Sequence, residues 1–331
     1  MPVLAAFVLA LMSMPIVLAV LHRRGLVDRP NERSSHAVPT PRGGGVAVAL
    51  GASAGAFLST AITGSARAAL VGGALALGGV GLADDVRSLA AYTRLGLQFA
   101  ISGAALAGLL VGLSGSPLWQ VVFVAGCVVW CVAYVNAFNF MDGINGISVA
   151  QATIAGVAWW VLGTAQDADA FATAGALIAA AALGFAPFNF PNARAFIGDV
   201  GSYFVGFWLA GTAILGLRAG IAPEAVLAPL SPYLADTAST LIRRLRQGAT
   251  LHEAHRDHAY QRLTVRGWSH ARTTTFVGAV IAIAAGLGGI AATASLPARG
   301  AADAALLLLL AGYVVSPEVV PPRADAEGNV V

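Results

Sequence analysis

The chain has no lysine. All 19 of its basic residues are arginine, and with 16 acidic residues they bring the charged fraction to only 11%. A soluble domain carries roughly 25% charged residues, so the surface that would keep 331 residues in water is missing. Cysteine is nearly absent too. Cys127 and Cys131 stand four apart in an apolar run, where one helix face holds both as small buried hydrophobes. The longest polar stretch, 243–272, is too short for a core of its own. These absences exclude a multidomain soluble enzyme, a secreted disulfide-stapled fold and a nucleic-acid binder.

What fills the chain is hydrophobic residue, 57% of positions, with a mean hydropathy of +0.76. A membrane-spanning helix needs about 20 apolar residues. Charge-free apolar runs at 1–21, 43–66, 68–83, 95–113, 118–138, 147–165, 170–190, 200–217 and 273–296 mark nine spans. Two weaker runs, 225–242 and 301–315, bring the expected count to ten or eleven. The first of these contains Pro229, Pro232 and Asp236, so it reads as a broken helix or as one lining a polar cavity. The run 1–21 has its positive residues after it rather than before, which marks a first span and not a signal peptide. The expected fold is an all-α polytopic membrane protein: one integral-membrane domain over 1–315 and a structureless tail over 316–331.

With eleven spans, loops 22–42, 84–94, 139–146, 191–199, 236–272 and the tail share one side and carry 16 arginines; the other side carries 3. The positive-inside rule makes the first side cytoplasmic and places the amino terminus outside. Every loop rich in Asp, Asn and His falls on that same side. A transporter more often places its ionisable groups mid-span. Polar groups gathered at the ends of spans, on one face, suit a membrane-embedded enzyme whose soluble substrate arrives from the cytoplasm.

Five loops carry the chemistry. The first runs from Asp28 to His36 and on through Pro39-Thr40-Pro41-Arg42 to three glycines; its arginines suit anionic ligands. The second begins Asp84-Asp85, a pair that repels itself unless a hard divalent cation or a proton intervenes. Either Mg²⁺ binds there or one carboxylate serves as a base. The third, Asn136 to Gly146, is dense in amides able to read a nucleobase edge. In the fourth, Asn189-Phe190-Pro191 precedes Phe196-Ile197-Gly198-Asp199, and Asp199 is either a helix cap or a metal ligand. The fifth holds Arg243, Arg244, Arg246, His252, His255, Arg256, His258 and Arg262. Arginines interleaved with histidines suit a diphosphate, and the absence of cysteine there argues against zinc.

Together the stretches DRPNERSSH, PRGGG, GLADD, NAFNFMDGING, FIGDVGS, the segment from Pro232 to Arg244, and HEAHRDHAYQRL resemble the polyprenyl-phosphate N-acetylhexosamine-1-phosphate transferases (glycosyltransferase family 4). They occur in the family's order between residues 28 and 263. The resemblance implies transfer of a sugar-1-phosphate from a UDP-N-acetyl sugar to undecaprenyl phosphate, with release of UMP and dependence on Mg²⁺, Mn²⁺ being the expected substitute. It makes Asp84, Asp85 and Asp199 catalytic, with Asp199 and Asp84 on the metal. It implies nucleotide contacts from Asn139, Asp142, Asn145, Phe196 and Asn189, and diphosphate or sugar contacts from His252, His255, Arg256, His258 and Arg262. Asn31, His36, Arg42 and Asp236 are implied to meet the lipid phosphate or to hold the fold.

Three positions depart from the family pattern. Asn145 replaces an aspartate of many members, and Tyr260 and Gln261 stand where the WecA pattern carries histidine, a run closer to the WbpL-type initiators of O-antigen. The expected setting is therefore cell-envelope polysaccharide synthesis at a bacterial inner membrane, with membrane lipid as surroundings, no nucleic-acid partner, and a homodimer left open as the active unit. Two rivals remain at this point: a secondary transporter of an anionic solute, and a non-catalytic membrane scaffold.

Overall fold

The computed structural model describes residues 1–28, 38–109, 116–249 and 256–321. Among them are thirteen α-helices and one two-stranded antiparallel ladder. Helix α1 (Pro2–Arg23) leads to strands β1 (Val27–Asp28) and β2 (Thr40–Pro41), then α2 (Gly45–Leu58), α3 (Gly64–Arg87) and α4 (Ala91–Leu109). There follow α5 (Pro117–Met141), α6 (Ile147–Ala165), α7 (Asp169–Asn189) and α8 (Gly198–Arg218). A broken segment comes next: α9 (Pro223–Leu227), a 3₁₀ turn (Ala228–Leu230) and α10 (Ser231–Arg246). Helices α11 (Ala259–Val265), α12 (His270–Thr293) and α13 (Leu296–Val319) complete the fold.

The bundle is built round α8, of whose span window 89% is buried. A helix enclosed on every side has no polar face to spare, and α8 solves the crowding with glycine. Gly201, Gly206, Gly211 and Gly216 recur every five residues. At 3.6 residues per turn, each step rotates the next glycine about 140° around the axis, so each meets a different wall. A Cβ on Gly201 would crowd Gly45 of α2, and one on Gly206 would crowd Val135 of α5. On Gly211 it would meet Leu70 of α3, and on Gly216, Phe171 of α7. Close approach through small residues is the usual basis of helix association where no hydrophobic effect drives it. The α6–α7 contact repeats the device, each of Gly156 and Gly175 facing the other's carbonyl oxygen.

All eleven apolar runs contain helix, but among the described residues eight helices are long and apolar enough to cross a membrane. The expected run 43–66 is interrupted: Gly43 adopts φ +121°, and the helix closes at Leu58 after 14 residues. At 1.5 Å per residue that is roughly 21 Å, short of the roughly 30 Å hydrocarbon core. Helix α10 is amphipathic and ends in Arg243, Arg244 and Arg246, so it too falls outside the eight. Helix α13 continues four residues beyond the boundary expected at 315, because Glu318 there pairs with Arg262 at 2.6 Å. Of the expected tail, 322–331 lies outside the described residues.

The tightest contact for the site is between α3 and α8. A Cβ on Gly81 would overlap the carbonyl of Asp199, whereas nothing lies within 4 Å of one on Gly79. Gly81→Ala is therefore expected to cost about 1–3 kcal/mol by overpacking, and Gly79→Ala to be neutral or slightly favourable by helix propensity. Thermal unfolding of the two variants in detergent checks this; equal melting temperatures would remove the close approach as a constraint.

Candidate active site

The last turn of α3 carries Asp84 and Asp85, and the first turn of α8 carries Asp199. Asp85 joins the two helices. Its Oδ1 accepts the N–H of Asp199 (3.1 Å) and its Oδ2 that of Val200 (3.0 Å), so it caps the exposed amides of α8, where the helix dipole favours an anion. Gly198, at φ +72°, makes the turn just before it; a Cβ there would stand 2.8 Å from Asp85 Oδ2. Asp84, also buried, faces α4. Its Oδ1 accepts Leu89 N–H at 2.7 Å, its Oδ2 pairs with Arg94 Nη1 at 2.7 Å, and its carboxyl lies within hydrogen-bond reach of Asp199.

Arg42 bridges the remaining pair. Its Nε meets Asp85 Oδ1 at 2.8 Å and its Nη2 meets Asp199 Oδ1 at 2.7 Å. The backbone beneath is clamped: Arg42 forms a parallel bridge with Phe196, and the N–H groups of Gly43 and Gly44 both donate to Phe196 O. Burial works against the charged guanidinium, but Asp199 and then Asp85 more than offset it, and the Arg42 pKa is raised. Asn139 of α5 closes the ring, its Nδ2 donating to Asp199 Oδ1 (3.0 Å) and to Ser202 Oγ (2.9 Å).

Among the described residues no three or more His, Cys, Asp or Glu side chains form a metal cage. Mg²⁺ seldom uses one; it takes one or two carboxylates and completes its octahedron with water and substrate phosphate. The facing carboxyls of Asp84 and Asp199 are hard oxygen donors of that kind, and so they fit. Asp85 has its oxygens on two α8 amides and on Arg42, and so ties α3 to α8.

Beside this centre lies a cleft of about 430 Å³, lined by Thr40, Asn145, Pro191, Phe196, Ser269 and His270 among others. Asn145 donates through Nδ2 to Pro191 O at 3.0 Å, and its own carbonyl accepts from Thr274 at 2.7 Å. Asp142, at the end of α5, accepts from Ser148 Oγ at 2.6 Å. Burial pushes its carboxyl up to about 7 despite that hydrogen bond. Asn189 departs from expectation. It is buried, with Nδ2 donating to Ala195 O and Oδ1 accepting from Gly146 N–H. Its amide is consumed in stitching two loops together, so it supports the cleft without lining it.

The fifth motif is also turned inward. Along α10, Asp236, Thr240, Arg243 and Arg244 share one face, and that face receives the chain from Asp257 to Tyr260. Arg243 Nη2 donates to Asp257 O at 2.5 Å and Arg244 pairs with Asp257 Oδ2 at 2.7 Å. Asp236, fully buried, accepts from His258 Nδ1 (3.0 Å), Ala259 N–H (3.0 Å) and Tyr313 Oη (2.7 Å). It is thus structural, the second of the two roles expected of it. Tyr260 is fully buried and donates to Phe140 O at 3.0 Å, while Gln261 caps α11. These two departures from the family pattern therefore serve packing and do not face a substrate. Arg262 pairs with Glu318, and Arg256 is half-buried where the chain approaches His258. Asn31, His36, His252 and His255 lie outside the described residues.

Arg94 and His270 were passed over in the sequence. Arg94 follows Asp84 by ten positions and counted only toward orientation; the turn between α3 and α4, with Ser88 at φ +49°, folds it back onto that carboxylate. His270 opens α12, and its place in the cleft depends on a contact 125 residues away in the chain, Asn145 N–H toward His270 Nδ1 at 3.5 Å. No local pattern announces that.

Comparison with known proteins gives the family. A family model for glycosyl transferase family 4 matches residues 67–217. A decaprenyl-phosphate N-acetylglucosaminephosphotransferase of Mycobacterium leprae is 30% identical over 83% of this chain and 79% of its own length. A probable undecaprenyl-phosphate N-acetylglucosaminyl 1-phosphate transferase of Bacillus subtilis is 27% identical over 81% of the chain and 79% of its own. A phospho-N-acetylmuramoyl-pentapeptide-transferase of Deinococcus radiodurans is 31% identical over 54% of the chain and 52% of its own. The chain belongs to this family of membrane-embedded transferases, and neither the transporter nor the scaffold reading finds support.

The raised pKa of Asp142 carries a sign. A carboxyl protonated more readily in the fold than in the unfolded chain stabilises below its unfolded pKa of about 4 and loses that contribution as pH rises through about 7. Asp142→Asn, which does not titrate, is therefore expected to gain melting temperature relative to wild type at pH 8 compared with pH 5. Unfolding curves at the two pH values check this; a difference unchanged with pH removes the buried-acid assignment.

Proposed function

We propose that the protein transfers an N-acetylhexosamine-1-phosphate from a UDP-sugar to a polyprenyl phosphate, releasing UMP, as the first membrane step of a cell-envelope polysaccharide. The observation that carries this is the meeting of Asp84, Asp85 and Asp199 with Arg42 and Arg94 at one end of the bundle, next to the cleft. A phosphate attacking a diphosphate gathers negative charge in a partly desolvated place, and that repulsion is the barrier to be lowered.

In this reading Phe196 and Asn145 hold the uracil in the cleft, and Asp142 stands behind them. Asp84 and Asp199 would hold Mg²⁺, which neutralises the diphosphate and makes UMP a better leaving group. Arg42 lies on the cleft side of the centre and meets the donor diphosphate. Arg94, on α4, meets the acceptor phosphate. Holding both anions in line makes the displacement nearly intramolecular, and little covalent work is left to the protein. Asp85 and Asn139 keep the two helix ends and Asp199 in register.

N-acetylglucosamine is the sugar favoured by the names of the Bacillus and Mycobacterium relatives. The O-antigen setting expected from Tyr260 and Gln261 loses its support, since both side chains are spent inside the fold. For orientation we adopt the eleven-pass reading, in a bacterial inner membrane: amino terminus outside, the five loops in the cytoplasm. The distribution of arginine supports it, and so does the arrival of a charged nucleotide from that side.

Purified protein given undecaprenyl phosphate, Mg²⁺ and UDP-N-acetylglucosamine is expected to release UMP, and Asp199→Asn to lose about two orders of magnitude or more in rate. Asp199→Asn within threefold of wild type at saturating Mg²⁺ would remove Asp199 from the centre. For topology, single cysteines at Gly248 and Gly220 in a cysteine-free background separate the sides. Position 248 is expected to resist an impermeant thiol reagent on intact cells and 220 to react; the reverse pattern overturns the orientation.

A further inference from the structure

The centre contains a cation of its own. Three carboxylates meet at the ends of α3 and α8, and the Arg42 guanidinium spans two of them, Asp85 through Nε and Asp199 through Nη2. The oxygen it occupies on Asp199 belongs to the same carboxyl that faces Asp84. A dication between Asp84 and Asp199 would thus sit within a few ångströms of a guanidinium fixed on one of its own ligands, and like charges at that range repel strongly away from bulk water.

The Arg42 side chain is 41% exposed, in contrast to the carboxylates at 1% and 13%. Its neighbours Thr40, two residues before it, and Phe196, bridged to its backbone, both line the cleft. The backbone clamp uses no atom of the Arg42 fork. The fork's planar, bidentate donors match a phosphate as well as a carboxylate.

We propose that Arg42 is the counter-cation of Asp85 and Asp199 when no nucleotide is bound, and that a divalent cation enters only together with an anionic nucleotide, whose phosphates take the Arg42 guanidinium from Asp85 and Asp199. This rests on the reading of Asp84 and Asp199 as cation ligands. It makes the order of binding a property of one side chain. A free divalent cation finds the carboxylates occupied, whereas a nucleotide diphosphate brings the charge that releases them.

The test measures Mn²⁺ binding to the purified full-length protein from the free-ion signal in electron paramagnetic resonance, with and without UDP, and needs no turnover. Wild type is expected to bind Mn²⁺ weakly alone and roughly tenfold more tightly with UDP. Arg42→Gln, which removes the charge, is expected to bind Mn²⁺ roughly tenfold more tightly than wild type without UDP, and to gain less from UDP. Arg42→Lys, which keeps the charge, is expected to behave as wild type without UDP. If Arg42→Gln binds Mn²⁺ alone no better than wild type while UDP still promotes binding, the exchange is wrong and the transferase reading stands. If no variant binds Mn²⁺ even with UDP, both fall. Should Arg42→Gln fail to fold, wild type decides: equal Mn²⁺ affinity with and without UDP overturns the proposal.

Discussion

The contact on which the site depends is a carboxylate capping a helix. Asp85, at the end of α3, accepts the amides of Asp199 and Val200 in the first turn of α8, and Gly81, one turn earlier, lets the two backbones touch. Without that approach Asp84 and Asp199 belong to separate helix ends. With it they face one another, and Arg42 and Asn139 have one place to converge. The charge of the centre is thus held by a backbone arrangement more than by the charged groups themselves.

A similar economy governs the C-terminal part. The polar face of α10 looks like an anion-binding surface, with Arg243, Arg244 and Asp236 in a row. In the fold it is consumed by the protein's own chain, the segment Asp257–Tyr260. Asp236 ties together α10, α11 and α13 through His258, Ala259 and Tyr313. That one buried carboxylate is well supplied with donors, which is how a charge survives in such surroundings.

The sequence showed the all-helical membrane fold and the five polar loops at once, because long apolar runs and clustered Asp and Asn are local signals. Asp84, Asp85 and Asp199 were legible as a group for the same reason. What was not legible is the use each residue makes of its neighbours. Nothing near Asn189 says that its amide is spent on Ala195 and Gly146; nothing near Tyr260 says that it is buried against Phe140. Arg94 stood in plain view and was read only for its sign. An apolar composition does not reveal where glycine bends the chain, as at Gly43, or where an amphipathic helix such as α10 receives a loop.

The glycine ladder of α8 bears on how the protein is made. The four walls it touches, α2, α3, α5 and α7, all precede α8 in the chain and so leave the ribosome first. Asp199 therefore reaches Asp84 and Asp85 only when α8 packs among helices made before it.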